Sequence, residues 1–132
     1  MDDHSRKITA LDFTKTKSSK EISATVKKGI KKNGAPDEAL IDNAKELKFS
    51  NFKLLLNKKG IKPIYSHPYY PQDKGKIERM IKTLIRELLN VIKPKNGKEL
   101  KKAAKEFLEF YNSKRFHEGI KGIPDEQFYS KV

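Results

Sequence analysis

Short apolar runs alternate with amphipathic stretches along the chain, and this alternation restricts the fold more than any other feature. The runs are KITALDF at 7–13, EALI at 38–41 and IKPIY at 61–65. Each is short and holds several good strand formers, so each predicts a β-strand. Helical patterns lie between them. The resulting order, β-α-β-α-β, predicts an α/β fold that ends in helices.

Four stretches carry the signals of helices. Ser18 or Ser19 is predicted to cap the first helix, and Asn33-Gly34 to end it. Apolar residues spaced by three and four predict the other three helices, at about 51–59, 76–91 and 98–112. The segment 66–76 predicts a loop because of its Pro and Gly residues, and 112–132 predicts a turn-rich tail.

Composition limits the class of protein. The length of 132 residues suits one domain, 1–132, and the absence of cysteine favours a cytoplasmic protein over a disulfide scaffold. No apolar run approaches the roughly 18–20 residues that span a bilayer, so no membrane partner is expected. Thirty Lys and Arg against 17 Asp and Glu give a net charge of +13. Such an excess makes nucleic acid the leading partner class.

Two carboxylates are candidates for metal binding. Asp42 follows the EALI run, at the end of a predicted strand where α/β folds place ligands, and Glu78 lies in the first turn of a predicted helix. Carboxylate oxygens are the ligands that Mg²⁺ prefers. Both residues also fit a simpler interpretation, in which Asp42 forms a turn and Glu78 complements the helix dipole.

The helix face around Glu78 is otherwise cationic. Arg79, Lys82 and Arg86 share that face at helical spacing, which is typical of phosphate binding. The alternative is a solvated face with a Glu78–Lys82 ion pair. The opposite stripe, predicted to face the core, consists of Ile77, Ile81, Leu84 and Leu88.

Four phrases in order carry a family resemblance: DDHSRKI, LIDNAKEL, IKPIYSHPYYPQDKGKIERM and FYNSKRFHEGIKGIPDEQF. They resemble the catalytic core of insertion-sequence transposases, in the retroviral-integrase superfamily. The most informative motif is the Pro-Gln-x-x-Gly-x-x-Glu-Arg string at 71–79. The resemblance covers nearly the whole chain and implies a ribonuclease-H-like fold.

The resemblance also implies a mechanism, metal-dependent phosphodiester transfer in DNA integration or transposition. In the family, an Asp, Asp, Glu triad holds Mg²⁺ or Mn²⁺ for an in-line displacement at phosphorus. Asp42 would be the second acid and Glu78 the third. Arg115 and His117 match the family's ending, where a surface turn and a DNA contact are both open. The residues expected around the DNA are Asn43, Gln72, Lys74, Lys76, Arg79, Lys82 and Arg86.

The first acid of the triad has no counterpart in this sequence. Asp2 and Asp3 match the turn that enters the family's third strand, not the first-strand position. The resemblance therefore predicts an incomplete core that lacks the first two strands of the sheet. The resemblance leaves open whether the chain is an enzyme. We expect the chain to have little catalytic activity on its own.

Two further hypotheses stand beside a transposase fragment. The chain could be a non-catalytic, basic nucleic-acid-binding module, which could also interfere with an intact transposase through mixed oligomers. Alternatively, an upstream reading frame could supply the missing strands and the missing Asp. All three hypotheses share DNA as the partner.

Overall fold

A computed structural model of the chain describes residues 1–42, 51–65 and 75–130. It divides the chain into two compact units, one formed by Thr14–Gly75 and the other by Met1–Phe13 together with Lys76–Val132. The fold is mixed α/β, as the sequence predicts. No helix within the described ranges is long and apolar enough to cross a membrane.

Within its described residues, the unit Thr14–Gly75 contains a small parallel sheet and two helices. In chain order its elements are α1 (Ser19–Asn33), β1 (Glu38–Ile41), α2 (Asn51–Lys58) and β2 (Lys62–Tyr65). The two strands pair from Glu38 opposite Lys62 to Ile41 opposite Tyr65. Both strands and both helices are at the predicted places. The predicted cap of α2, at residue 50, lies outside the described residues.

The ends of α1 follow from capping. The Ser18 hydroxyl accepts a hydrogen bond from the Glu21 amide at 3.3 Å, and the Glu21 carboxylate accepts one from the Thr16 amide at 3.0 Å. At the other end Gly34 has φ +86°, a left-handed conformation that a side chain rarely adopts. Its amide donates to the Ile30 carbonyl at 2.8 Å, which closes the last turn.

The core of this unit lies between the sheet and the two helices. Phe52, Leu56 and Ile61 are buried at its centre. The Ser19 hydroxyl accepts a hydrogen bond from the Phe52 amide at 3.1 Å, which ties the beginnings of α1 and α2 together. The spacing of apolar residues on α1 and α2 predicted these inward faces. The partly buried residues around the centre are Ile22, Val26, Ile30, Ala39 and Ile41.

The second unit is helical. It contains α3 (Gly75–Leu84), a π-helical turn (Ile85–Leu89), a final α turn (Asn90–Ile92), α4 (Gly97–Ser113), a 3₁₀ turn (Glu118–Ile120) and α5 (Pro124–Tyr129). The third and fourth predicted helices are confirmed. Asn96 caps α4 by accepting a hydrogen bond from the Glu99 amide at 2.9 Å. Helix α5, with a proline in its first turn, is an element that the sequence analysis did not predict.

The core of the second unit corrects the stripe predicted on α3. Met80, Leu84 and Leu88 are buried there, whereas Ile81 is 45% exposed. The buried line therefore passes through Met80 and not through Ile81, because the helix presents the 80–84–88 row to α4. The residues that α4 and the N-terminal segment contribute to the same core are Ile8, Ala103, Phe107 and Tyr111.

The strand predicted at 7–13 does not form; this segment has no regular secondary structure. At Ile8, the side chain of Asn112 makes the backbone hydrogen bonds that a neighbouring strand would make. Asn112 on α4 accepts a hydrogen bond from the Ile8 amide and donates one to the Ile8 carbonyl, both at 2.9 Å. A single amide side chain satisfies one residue of backbone, so no ladder of hydrogen bonds is built.

The neighbouring lysine is buried against α5. Lys7 is 4% exposed, and its ammonium lies 3.0 Å from the Asp125 carboxylate and donates to the Tyr129 hydroxyl at 2.9 Å. It also lies over the Phe128 and Tyr129 rings, at 4.7 and 4.4 Å from their centroids. Burial acts to lower the pKa of Lys7, but the hydrogen bonds from its ammonium outweigh burial and raise it.

Replacing Lys7 with methionine is expected to lower the free energy of unfolding by about 1–2 kcal/mol. The thioether fills similar space, but the Asp125 carboxylate loses its partner. The cost stays moderate because that side chain is 30% exposed and can be hydrated. A urea double-mutant cycle with Asp125→Asn measures the coupling directly. If the effects of Lys7→Met and Asp125→Asn simply add in the double variant, the ion pair is not the source of the stabilisation.

Candidate functional site

Asp42 directly follows β1, at the carboxyl end of the strand, as the sequence predicts. Asp42 is exposed to solvent. The EALI run forms the strand because Ala39 and Ile41 pack against the core of Thr14–Gly75. The strand therefore places a carboxylate at the carboxyl end of the parallel sheet, where α/β folds bind ligands.

Glu78 lies in the first turn of α3 and is exposed. Within the described part of the chain, no cation comes within ion-pair distance of its carboxylate. The alternative interpretation of this face required a Glu78–Lys82 pair, and that pair is not formed. Glu78 belongs to the second unit and Asp42 to the unit Thr14–Gly75.

Four of the predicted DNA-binding cations lie along the segment that begins with α3, and all four are exposed. Two of them have acidic neighbours: Lys76 lies 2.7 Å from Asp3, and Arg86 lies 3.8 Å from Glu87. The others, Arg79 and Lys82, have no ion pair with any described residue. Three more predicted contacts lie outside the described residues, namely Asn43, Gln72 and Lys74.

Arg115 is engaged by an acid on the π-helical turn. Its guanidinium donates to both carboxylate oxygens of Glu87, with the shortest distance 2.9 Å from Nη2 to Oε1. It also lies 5.4 Å from the centroid of the Tyr111 ring. The hydrogen bonds to Glu87 raise the pKa of Arg115. This paired arrangement favours a structural role for Arg115 over a direct DNA contact.

His117 opens the 3₁₀ turn, and an antiparallel bridge between His117 and Gly122 closes the loop. Its Nδ1 accepts a hydrogen bond from the Gly119 amide at 3.2 Å. A Cβ at Gly119 would come within 3.1 Å of the His117 ring, so a glycine there permits this close approach. Burial first, and then the charges of Arg115, Arg6 and Arg79, lower the pKa of His117.

The donor chemistry of the two acids fits a hard divalent cation. Asp42 and Glu78 offer carboxylate oxygens on exposed residues, which suits a Mg²⁺ or Mn²⁺ ion that keeps several of its waters. Across residues 1–42, 51–65 and 75–130, no group of three His, Cys, Asp or Glu residues is arranged to hold a metal.

A family model described as the integrase core domain matches residues 59–124, which is half of the chain. The matched region includes residues 66–74, all of α3 with Glu78, α4 and the turn that carries His117. The chain belongs to the integrase core domain family.

Solved structures support the same fold. The simian T-cell lymphotropic virus intasome, in complex with the PP2A regulatory subunit B56 gamma, matches with a TM-score of 0.75 and 20% identity, over 89% of this chain and 42% of that one. The catalytic core of BIV integrase matches with a TM-score of 0.72 and 19% identity, over 89% and 75% of the chains. The HTLV-2 integrase catalytic core in complex with magnesium matches with 0.71 and 19%, over 90% and 75%.

These matches confirm the integrase-type, ribonuclease-H-like fold predicted from the sequence. This chain spans 42% of the length of the intasome chain. The sequence analysis did not single out Arg6, whose charge acts on His117, or Glu87, which pairs with Arg115. Their signal is tertiary, because each acts through a partner or neighbour brought close by the fold.

Proposed function

We propose that this chain acts on DNA as the catalytic core of an integrase-type transposase, in metal-dependent phosphodiester transfer. The observation that carries the proposal is the exposed Glu78 carboxylate. It has no ion-pair partner among the described residues and lies on a cationic helix face of an integrase core domain. Cations around an unpaired acid suit a site where a metal meets a phosphate.

In this proposal Asp42 and Glu78 hold Mg²⁺ or Mn²⁺, and the cations of α3 bind the phosphate backbone. When bound, the metal stabilises the charge that develops on phosphate oxygens during an in-line displacement. Lys76, Arg79 and Lys82 contribute by attracting and orienting the DNA strand beside Glu78. Arg86 extends the same face.

We further propose that the isolated chain has little or no strand-transfer activity of its own. The family resemblance assigns two of the three acids to this sequence, and an intact transposase or an upstream-encoded fragment would provide the third. The remaining role of the chain would then be DNA binding. By forming mixed oligomers, the chain would also interfere with an intact transposase. We place this activity in the cytoplasm.

Paramagnetic Mn²⁺ tests the assignment of the acids in the purified chain. Micromolar Mn²⁺ is expected to broaden amide resonances near Glu78 and near Asp42 before others, because a bound paramagnetic ion relaxes only nearby nuclei. Glu78→Gln should abolish the broadening around α3, since the amide cannot replace a carboxylate ligand. The matched control is Glu106→Gln, an exposed acid on α4.

Nicking assays with Mg²⁺ and Mn²⁺ on supercoiled plasmid complete the test. The parent chain is expected to show no cleavage above background. Broadening that persists in Glu78→Gln would contradict the metal-binding role of Glu78. Robust cleavage by the parent chain that disappears in Glu78→Gln would contradict the proposed lack of independent activity.

A further inference from the structure

The tripeptide Lys-Asn-Gly occurs twice in the chain, at 32–34 and at 95–97. An asparagine that precedes glycine is chemically reactive, because glycine has no Cβ to hinder the attack of its own amide nitrogen on the asparagine side chain. Both sites also share the preceding lysine, so the local sequence predicts similar reactivity for the two asparagines. A difference between them in the folded chain has to come from the structure.

The reaction is an intramolecular cyclisation that ends in deamidation. The amide nitrogen of the glycine loses its proton to water and attacks Cγ of the asparagine side chain. The Cγ–Nδ2 bond then breaks, and the side-chain nitrogen takes up a proton and leaves as ammonia. Water opens the resulting succinimide at either of its carbonyls, which gives aspartate or isoaspartate. In sum, one water is consumed and one ammonia is released.

Asn33 is restrained against this reaction by the last turn of α1. It is the final residue of that helix, and its Nδ2 donates a hydrogen bond to the Gly29 carbonyl at 3.1 Å. The attacking nitrogen would be that of Gly34, which donates to the Ile30 carbonyl at 2.8 Å. Cyclisation at Asn33 therefore requires that both hydrogen bonds break and that the end of α1 opens.

Asn96 lacks these restraints. It precedes α4 and has an extended backbone, with φ −151° and ψ 173°. Gly97 is the first residue of the helix, a position whose amide has no partner within the helix, and this amide donates to no described residue. Asn96 and Gly97 are both exposed. The attacking nitrogen at this site is therefore unpaired and accessible to water.

The hydrogen bond to the Asn96 side chain favours the reaction. Oδ1 of Asn96 accepts from the Glu99 amide at 2.9 Å. Negative charge develops on this oxygen when the glycine nitrogen attacks Cγ, and a donor that is already in place stabilises that charge. The beginning of a helix favours negative charge as well. The cap of α4 thus activates Asn96, whereas the end of α1 protects Asn33.

We propose that Asn96 is a site of spontaneous deamidation in the folded chain and that Asn33 is protected from the same reaction. Each deamidated form carries one charge less than the formal +13 of the chain. The aspartate form keeps the cap of α4, because aspartate caps helices as well as asparagine does. The isoaspartate form loses the cap, since its extra backbone methylene displaces the carboxylate from the Glu99 amide.

Incubation of the purified chain at mildly alkaline pH, in buffer made with H₂¹⁸O, tests the proposal. Each succinimide that opens during the incubation takes up one heavy oxygen, so reaction in the folded chain is distinguished from reaction during later handling. Cleavage after glutamate places the two asparagines in separate peptides, 22–38 and 88–99, for mass spectrometry. Asn96 is expected to react at least about tenfold faster than Asn33, because the hydrogen bonds at Asn33 must first break.

Two controls connect the difference in rate to the structure. In concentrated urea, Asn33 and Asn96 should react at similar rates, because unfolding makes the two tripeptides equally accessible. Gly97→Ala should slow the reaction at Asn96 by about an order of magnitude, because the added Cβ hinders the attack. Apart from its chain neighbours and the helix backbone, that Cβ would meet nothing within 4 Å, so the fold is expected to be unchanged.

Hydrogen exchange follows the cap in the products. The Glu99 amide should keep its protection in Asn96→Asp, which reproduces the aspartate form, and lose it in the isoaspartate form separated by chromatography. Protection of this amide in the isoaspartate form would contradict the proposed loss of the cap.

The rates in the folded chain decide the main proposal. Equal rates at Asn33 and Asn96, or a faster reaction at Asn33, would overturn it. A Gly97→Ala chain that reacts at Asn96 as fast as the parent chain would also overturn it. If neither asparagine reacts in the folded chain while both react in urea, the cap protects Asn96 and the proposal is wrong.

Discussion

Replacing Leu88 with alanine is expected to lower the free energy of unfolding by about 3–5 kcal/mol. The Leu88 side chain is 0% exposed and lies in the core of the second unit, in one cluster with Leu84 and Phe107. The substitution removes apolar contacts and leaves a cavity that the surrounding rings fill only partly. Urea denaturation followed by circular dichroism measures the change.

The control for this substitution is Val91→Ala, three residues further along. Val91 is 71% exposed, so truncating it should change the free energy of unfolding by less than about 0.5 kcal/mol. A change at Leu88 as small as the change at Val91 would mean that the core of the second unit is not packed as described. A difference of several kcal/mol between the two variants would support the described packing of this core.

Replacing Asn112 with alanine is expected to lower the free energy of unfolding by about 2–4 kcal/mol. The side chain is 7% exposed and satisfies both the amide and the carbonyl of Ile8, which is itself 2% exposed. Alanine leaves two buried backbone groups without partners, and each such group costs about 1–3 kcal/mol. The substitution should also detach the N-terminal segment from α4 locally.

Hydrogen exchange distinguishes this local effect from a global one. The Ile8 amide is expected to lose its protection in Asn112→Ala, whereas amides in α1 should keep theirs. Ser113→Ala is the neighbouring control, because the Ser113 residue is exposed and its hydroxyl donates to the Glu109 carbonyl on the same helix. An Ile8 amide that exchanges equally slowly in both variants would contradict the role of Asn112.

Local patterns in the sequence predicted the elements that depend on neighbours in the chain. The cap at Ser18 and the glycine at 34 fixed α1, and the spacing of Phe52, Leu55 and Leu56 gave the inward face of α2. The strand at 38–41 was short, yet its apolar residues and its polar end predicted both the strand and the place of Asp42. Its pairing with β2 was not predicted.

The elements that were missed depend on residues far away in the sequence. The segment 7–13 has the composition of a strand, but Asn112 provides its partner across 104 residues. The charges of Arg6 and Arg79 both lower the pKa of His117, although no periodicity in the sequence connects these residues. Glu78 could be named as a candidate from the sequence because a family motif marks it, and its place in the first turn of α3 was predicted. The charges around His117 could not, because they become neighbours only in the folded chain.

The π-helical turn at Ile85–Leu89 has a consequence for comparing this chain with relatives. A π turn takes in one more residue than an α turn, so the last helical residues, Asn90–Ile92, are rotated by about 100° from their places in a regular helix. A relative whose corresponding helix is regular would need a one-residue gap inside the helix to align correctly. Without that gap, Val91 and Ile92 would be compared with residues on a different face.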